Sequence, residues 1–134
     1  MLERIGRYEL RERIGAGGQA TVYLGHDTVL DSRVAIKVMH QVATSNEEYV
    51  EALRTEASTA RILSHSNIAP IYDFTVEDGY ACIVMEYFPN SVDKELVNSG
   101  PIPHSRAIEI IVAVCQALSH AHEIGFVHRD IKPH

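Results

Sequence analysis

Gly15-Ala16-Gly17-Gly18-Gln19-Ala20-Thr21-Val22-Tyr23-Leu24 is the stretch that decides the fold. Before it, Tyr8, Leu10 and Ile14 alternate with Glu9, Arg11 and Arg13, the period-two pattern of a half-buried strand. The glycines break that strand and Thr21 to Leu24 resumes one, so the turn belongs to a β-hairpin. A dinucleotide-binding fingerprint also uses closely spaced glycines, but there a helix follows them, and here a second strand does. Glycines let a backbone approach a ligand closely and aim N–H groups at phosphate oxygens. An ordinary tight hairpin would use the same letters, and the glycines alone do not choose between the two.

Downstream, Asp31-Ser32 marks a turn and Arg33 to Met39 is a β-branched strand. Ala35 and Lys37 lie on one face of it, Val34, Ile36 and Val38 on the other. A lysine within such a strand is ordinarily an edge residue that snorkels to water. Here it shares a face with Ala35, whose small side chain leaves room for a flat ligand. Ser45-Asn46-Glu47-Glu48 reads as a capping box, Ser45 with Glu48, opening a helix that carries Tyr49, Leu53, Glu56, Ala60 and Leu63 on nearby turns. A buried ammonium needs a counter-charge. Glu56 is the candidate, against the alternative of a solvated helical carboxylate. Ile71 to Val76 and Ala81 to Tyr87 are strands joined across Asp78-Gly79.

Past Glu86-Tyr87-Phe88-Pro89-Asn90 the pattern turns helical. Asn90 to Gly100 holds a short helix, and a long one runs from about Ser105 to Glu123 with Gly125 as its stop. The long helix is apolar nearly all round. Ile108, Ile111, Val112, Cys115 and Leu118 lie on one side, and Ala107, Ile110, Val114, Ala117 and Ala121 on the other. Such a helix requires cover on most sides. Exposing five large apolar side chains forgoes roughly 1.5–3 kcal/mol each, a sum comparable with a domain's whole stability of about 5–15 kcal/mol. Residues 1–89 are therefore expected to form a lobe of their own, with 100–134 unsupported in isolation.

Bulk properties narrow the function classes. The chain has 134 residues, 46% hydrophobic and 22% charged, as in an ordinary soluble domain. Its net charge of -6 gives no support to nucleic-acid binding. Cys82 and Cys115 stand in apolar stretches without CxxC spacing and read as reduced core residues of a cytoplasmic protein. The eight histidines form no ligand pattern, and no metal site is expected. The N-terminus has no apolar h-region, and Ile108 to Ile124 is too short and too polar to span a bilayer.

The last decisive stretch is His128-Arg129-Asp130-Ile131-Lys132-Pro133. A surface turn could hold an aspartate two residues before a lysine. As a general-base site the pair makes chemical sense: the carboxylate takes a hydroxyl proton while the ammonium offsets phosphate charge.

Together these residues resemble the protein kinases of the eukaryotic-like serine/threonine type. The likeness runs from about Tyr8 to His134, with the glycine-rich loop, Val34-Ala35-Ile36-Lys37, the helix glutamate, the hinge and the catalytic loop in that family's order. It implies an α+β fold: an N-lobe of a five-stranded antiparallel sheet plus one helix (1–84), a hinge (85–90), and the first helices of an incomplete C-lobe (91–134). It implies that Gly15, Ala16, Gly17, Gly18, Gln19 and Ala20 cover the phosphates of ATP. Ile14, Val22 and Ala35 would line the adenine site, Met85 would guard its back, and Glu86, Tyr87 and Phe88 would supply hinge contacts. Lys37, paired to Glu56, would hold the α/β-phosphates. Asp130 would be the catalytic base and Lys132 would stabilise the transferring phosphoryl group. Ala20 stands where the family has its third glycine. The family's next catalytic-loop residue, an asparagine, would follow His134. That asparagine and the Asp-Phe-Gly aspartate hold Mg2+ in a complete kinase, so the sequence itself supplies no metal ligand. The implied function is phosphoryl transfer from ATP to serine or threonine of protein substrates by the parent kinase, with these 134 residues binding ATP at most. The alternative is a non-catalytic nucleotide-binding or interaction module whose exposed apolar helix associates with another chain.

Overall fold

The structure, a computed structural model, describes residues 3–18, 20–40, 46–128 and 131–132. It divides into two compact units, Met1–Ile62 with Pro70–Tyr87, and Leu63–Ala69 with Phe88–His134.

The first unit is a six-stranded antiparallel sheet with one helix. Its strands are β1 (Arg4–Ile5), β2 (Tyr8–Ala16), β3 (Ala20–Asp27), β4 (Ser32–Met39), β5 (Ile71–Glu77) and β6 (Tyr80–Glu86), ordered β1-β2-β3-β4-β6-β5. The sequence pattern predicts five of these. The sixth, β1, is only two residues long, too short for any period to show, yet Ile5 is fully buried. Although three strands separate β2 from β5, the Tyr8 hydroxyl donates to Asp73 Oδ2 at 2.9 Å. The sheet must therefore curl until its two sides meet.

Alternation along β4 splits the core in two, as expected of Val34, Ile36 and Val38 against Ala35 and Lys37. Val34, Ile36 and Val38 join Ile5, Tyr8, Cys82 and Val84 on one face. Gly25 is required there, because a Cβ at that position would overlap the Ile36 side chain. On the other face Ala20, Met39, Ala81 and Ile83 pack with Leu53 and Ala57 of helix α1 (Glu47–Ile62).

Turns follow the local chemistry. Asp78 and Gly79 have φ of 54° and 77°, the two left-handed residues that a tight β5–β6 hairpin needs. Between β3 and β4, buried Asp27 accepts the N–H groups of Val29 and Leu30 and pairs with Arg7 at 3.1 Å. The start of α1 differs from the expected capping box. Asn46 Oδ1 accepts from the N–H groups of Glu48 and Tyr49, so Asn46 is the cap, and Ser45 lies outside the described residues.

The second unit holds α2 (Val92–Ser99) and α3 (His104–Glu123). Ser91 caps α2 by accepting from the Lys94 N–H. Helix α3 stops as Gly125 predicts: Gly125, at φ 82°, donates to His122 O and Phe126 donates to Ala121 O, closing a Schellman motif. Arg106 bridges the two helices, with both nitrogens 3.3 Å from the Glu95 carboxylate. Residues 63–69 also belong here, held by Asn67 Nδ2 on Ala113 O at 3.1 Å and by the His65 ring 5.4 Å from that of His120. Along α3 only Ala117 and Ala121 are buried, while Ile108, Ile111 and Val112 are exposed. Cys115 is exposed as well, which corrects its assignment to the core: it shares the side of α3 that carries those exposed residues. Cys82 is buried, as expected, and burial first, then the negative charge of Glu77, push its thiol up to about 12. It is inert as a nucleophile at neutral pH.

Candidate nucleotide site

The candidate site lies on one face of three adjacent strands. Directly opposed residues of an antiparallel pair point to the same side. The β3–β4 register sets Val22 opposite Lys37 and Leu24 opposite Ala35. The β4–β6 register sets Ala35 opposite Met85 and Lys37 opposite Ile83. Val22, Leu24, Ala35, Lys37 and Met85 therefore share one face. This is also the face on which Ala20, Met39, Ala81 and Ile83 meet helix α1.

The helix covers only part of it. Ala20 and Met39 are buried beneath α1, whereas Val22, Leu24, Lys37 and Met85 remain half-buried. A sheet face with a lysine, a small residue and three apolar side chains at its partly open end suits a flat heteroaromatic ligand carrying negative charge. Leu24 belongs to this lining although the sequence reading stopped at Val22; the i, i+2 spacing from Val22 was the available signal.

The glycine turn stands at the end of this face. Gly17 N–H donates to Ala20 O at 2.9 Å and closes it. Neither Gly17 nor Gly18 is in the left-handed region. A Cβ built on Gly18 meets nothing within 4 Å among the described residues, and on Gly17 only Ala20 O at 3.9 Å. The chain's own conformation and packing therefore do not demand glycine at these positions. Free space above the backbone is what a ligand approaching closely requires. Ala20 has a second task, because its methyl is buried in the core beneath α1. Ile14 falls at an irregularity in the β2–β3 register, between Arg13 and Gly15, and is 38% exposed. Gln19 lies outside the described residues.

The expected Lys37–Glu56 pair is not formed in this structure. Glu56 is exposed, and among the described residues no carboxylate pairs with the Lys37 ammonium. Helix phase puts Glu56 at the edge of the buried face: it is turned about 60° from Leu53 and about 100° from Ala57, the two residues that face the sheet. Glu86 and Tyr87 end the sheet unit, with Glu86 N–H donating to Pro70 O at 3.0 Å. Phe88, exposed, opens the helical unit. In that unit Lys132 is exposed, and Asp130 lies outside the described residues. The structure thus brings together Val22, Ala35, Lys37 and Met85 beside the glycine turn, and leaves Glu56 apart from Lys37. Among the described residues no three His, Cys, Asp or Glu side chains are grouped to hold a metal ion, and no helix is long and apolar enough to cross a membrane.

Residues 8–134 match the sequence profile of the family described as Protein kinase domain. The chain belongs to that family. Serine/threonine-protein kinase PrkC of Bacillus subtilis is 42% identical over 130 residues, covering 96% of this chain and 20% of its own length. Serine/threonine-protein kinase PknB of Mycobacterium leprae is 37% identical over 132 residues, covering 95% of this chain and 21% of its own length. The chain thus spans about a fifth of these relatives. Among solved structures, the Mycobacterium tuberculosis PknI kinase domain superposes with a TM-score of 0.78 at 26% identity, over 97% of this chain and 54% of that one. The kinase fold and its assignment to serine/threonine kinases by family follow from these matches.

Proposed function

We propose that the sheet unit is the nucleotide-holding part of a kinase that transfers the γ-phosphoryl group of ATP to serine or threonine of protein substrates. The observation that carries this reading is the partly open end of the sheet face, with Lys37 beside Ala35, Val22 and Met85, next to a glycine turn whose own packing does not require glycine. In this reading Val22, Leu24 and Ala35 contact the adenine and Met85 limits its depth. Ile14 borders the ring and the backbone of Glu86, Tyr87 and Phe88 bonds its edge. N–H groups between Gly15 and Ala20 and the Lys37 ammonium meet the phosphates. Glu56 orients Lys37 when α1 turns that carboxylate toward the sheet.

Asp130 takes the proton of the acceptor hydroxyl, and Lys132 offsets the charge developing on the transferred group. Mg2+ supplies charge neutralisation on the β- and γ-phosphates in kinases. The described residues offer it no ligand cluster, so no step here runs through it. A location in the cytoplasm accords with an ATP substrate and with thiols that form no disulfide.

A thermal-shift titration with ATP tests the reading, with and without magnesium and with Lys37→Ala. Stabilisation that Lys37→Ala abolishes supports it; stabilisation indifferent to Lys37 contradicts it.

A second reading is a non-catalytic module that binds a partner chain. The exposed Ile108, Ile111 and Val112 of α3 favour it. Phosphate incorporation into a generic protein substrate that Asp130→Asn abolishes would decide for the enzyme.

A further inference from the structure

We propose that Arg33 is a positioning residue for the nucleotide site, acting through the ring of Tyr87; this rests on the nucleotide reading above. Arg33, Ala35 and Lys37 are i, i+2 and i+4 on β4, so all three point to one face. Lys37 stands at one end of that stripe and Arg33 at the other, about 13 Å away along the strand. At the Arg33 end the guanidinium carbon lies 5.8 Å from the centroid of the Tyr87 ring, within reach of a cation–π contact.

Two features make this contact more than an incidental one. A carboxylate stands two residues away at Asp31, yet among the described residues none pairs with Arg33. Asp31 pairs instead with His26 at 3.0 Å, and Glu86, directly opposite Val34, belongs to the other face of the sheet. The partner of Arg33 is therefore the aromatic face. In addition, the backbone of Glu86 is fixed twice, by its register with Val34 and by its N–H bond to Pro70 O, whereas Tyr87 lies beyond the last paired residue of the sheet. Its side chain is what restrains it. A planar guanidinium laid over the ring holds the first unpaired residue after β6 in one orientation. That orientation sets where the backbone groups of Tyr87 itself aim at a bound base.

The consequence is confined to the base end of the ligand. Arg33 could alternatively act only as a positive charge that attracts phosphate, and the two roles separate experimentally. The probes are ATP and uncharged adenosine, titrated calorimetrically into the full-length gene product carrying Arg33→Ala, Arg33→Lys, Tyr87→Phe, Tyr87→Leu, or Arg33→Ala with Tyr87→Leu. The expected result is a loss of about two- to fivefold in affinity for both probes with Arg33→Ala. Tyr87→Leu should cause a similar loss, and the double variant should bind no more weakly than either single one. Arg33→Lys should restore part of the affinity, and Tyr87→Phe, which keeps the ring, should bind like the wild type. Adenosine binding untouched while ATP weakens would assign Arg33 to phosphate attraction and overturn the proposal. So would losses that multiply in the double variant, or an Arg33→Ala protein that binds both probes as the wild type does. A wild-type protein that binds neither probe would instead sink the nucleotide reading itself, and the proposal with it.

Discussion

Replacing Gly17 and Gly18 together by alanine separates what the turn does for the fold from what it does for a ligand. Neither residue has a left-handed φ, and among the described residues the added methyls meet at most Ala20 O at 3.9 Å. The fold should therefore lose nothing. Alanine narrows the unfolded ensemble where its conformation is tolerated, so a gain of about 0.4–1 kcal/mol per site is expected. Ligand affinity should move the other way. Methyls over the turn hold phosphate oxygens off the backbone N–H groups. Each charge-assisted bond lost costs about 1.5–3 kcal/mol, or roughly tenfold to a hundredfold in affinity. Urea unfolding without ligand and an ATP titration read the two effects separately. Equal or higher stability with weakened ATP binding is the expected pair of results. A marked fall in stability with unchanged affinity would refute the reasoning, because the glycines would then serve the hairpin alone.

Further outcomes follow from particular residues. Tyr8→Phe removes the bond to Asp73 that joins β2 to β5 and should cost about 1–3 kcal/mol in urea unfolding. Burial first and the Asp73 bond second push the Tyr8 hydroxyl up to about 12, above its ordinary value of 10.0. The neutral phenol therefore stabilises the fold fully below pH 10. That contribution should be lost as the pH rises from 10 to 12; stability of the wild type should fall more over this range than that of Tyr8→Phe, which has no phenol to ionise. Asn46→Ala leaves the N–H groups of Glu48 and Tyr49 without their cap and should cost about 1 kcal/mol, seen as a lower melting temperature. In a dilute monomer, backbone amides between Ile108 and Leu118 should exchange rapidly, since that face of α3 is exposed; strong protection there would contradict the expectation that the helix lacks cover.

Much of the fold was legible because its signals are local. Alternation along Arg33 to Met39 gave the two faces of β4, Asp78-Gly79 gave a hairpin, and Gly125 gave the end of α3. What escaped depends on contacts distant in sequence. Tyr8 and Asp73 are 65 positions apart, and nothing at either one announces that the sheet curls until they touch. Segment 63–69 joins the helical unit through Asn67 and His65, whose partners Ala113 and His120 lie far along the chain. The site divides in the same way. Lys37 and Ala35 were placed by strand period, whereas the pairing of Lys37 with Glu56 depends on the rotation of α1 about its axis. Helical spacing alone could not fix that rotation. Ser45 was the expected cap and Asn46 takes that role, a difference of one residue in where the helix starts.

A nucleotide lying against one face of β3, β4 and β6 is what the proposed function requires. Side-chain methyl NMR during an ATP titration measures that directly. Signals of Val22, Leu24, Ala35 and Met85 should shift together and saturate at one concentration, while those of Val34, Ile36 and Val84 on the opposite face stay in place. Shifts confined to Val34, Ile36 and Val84, or no saturable shift at any of these methyls, would contradict it.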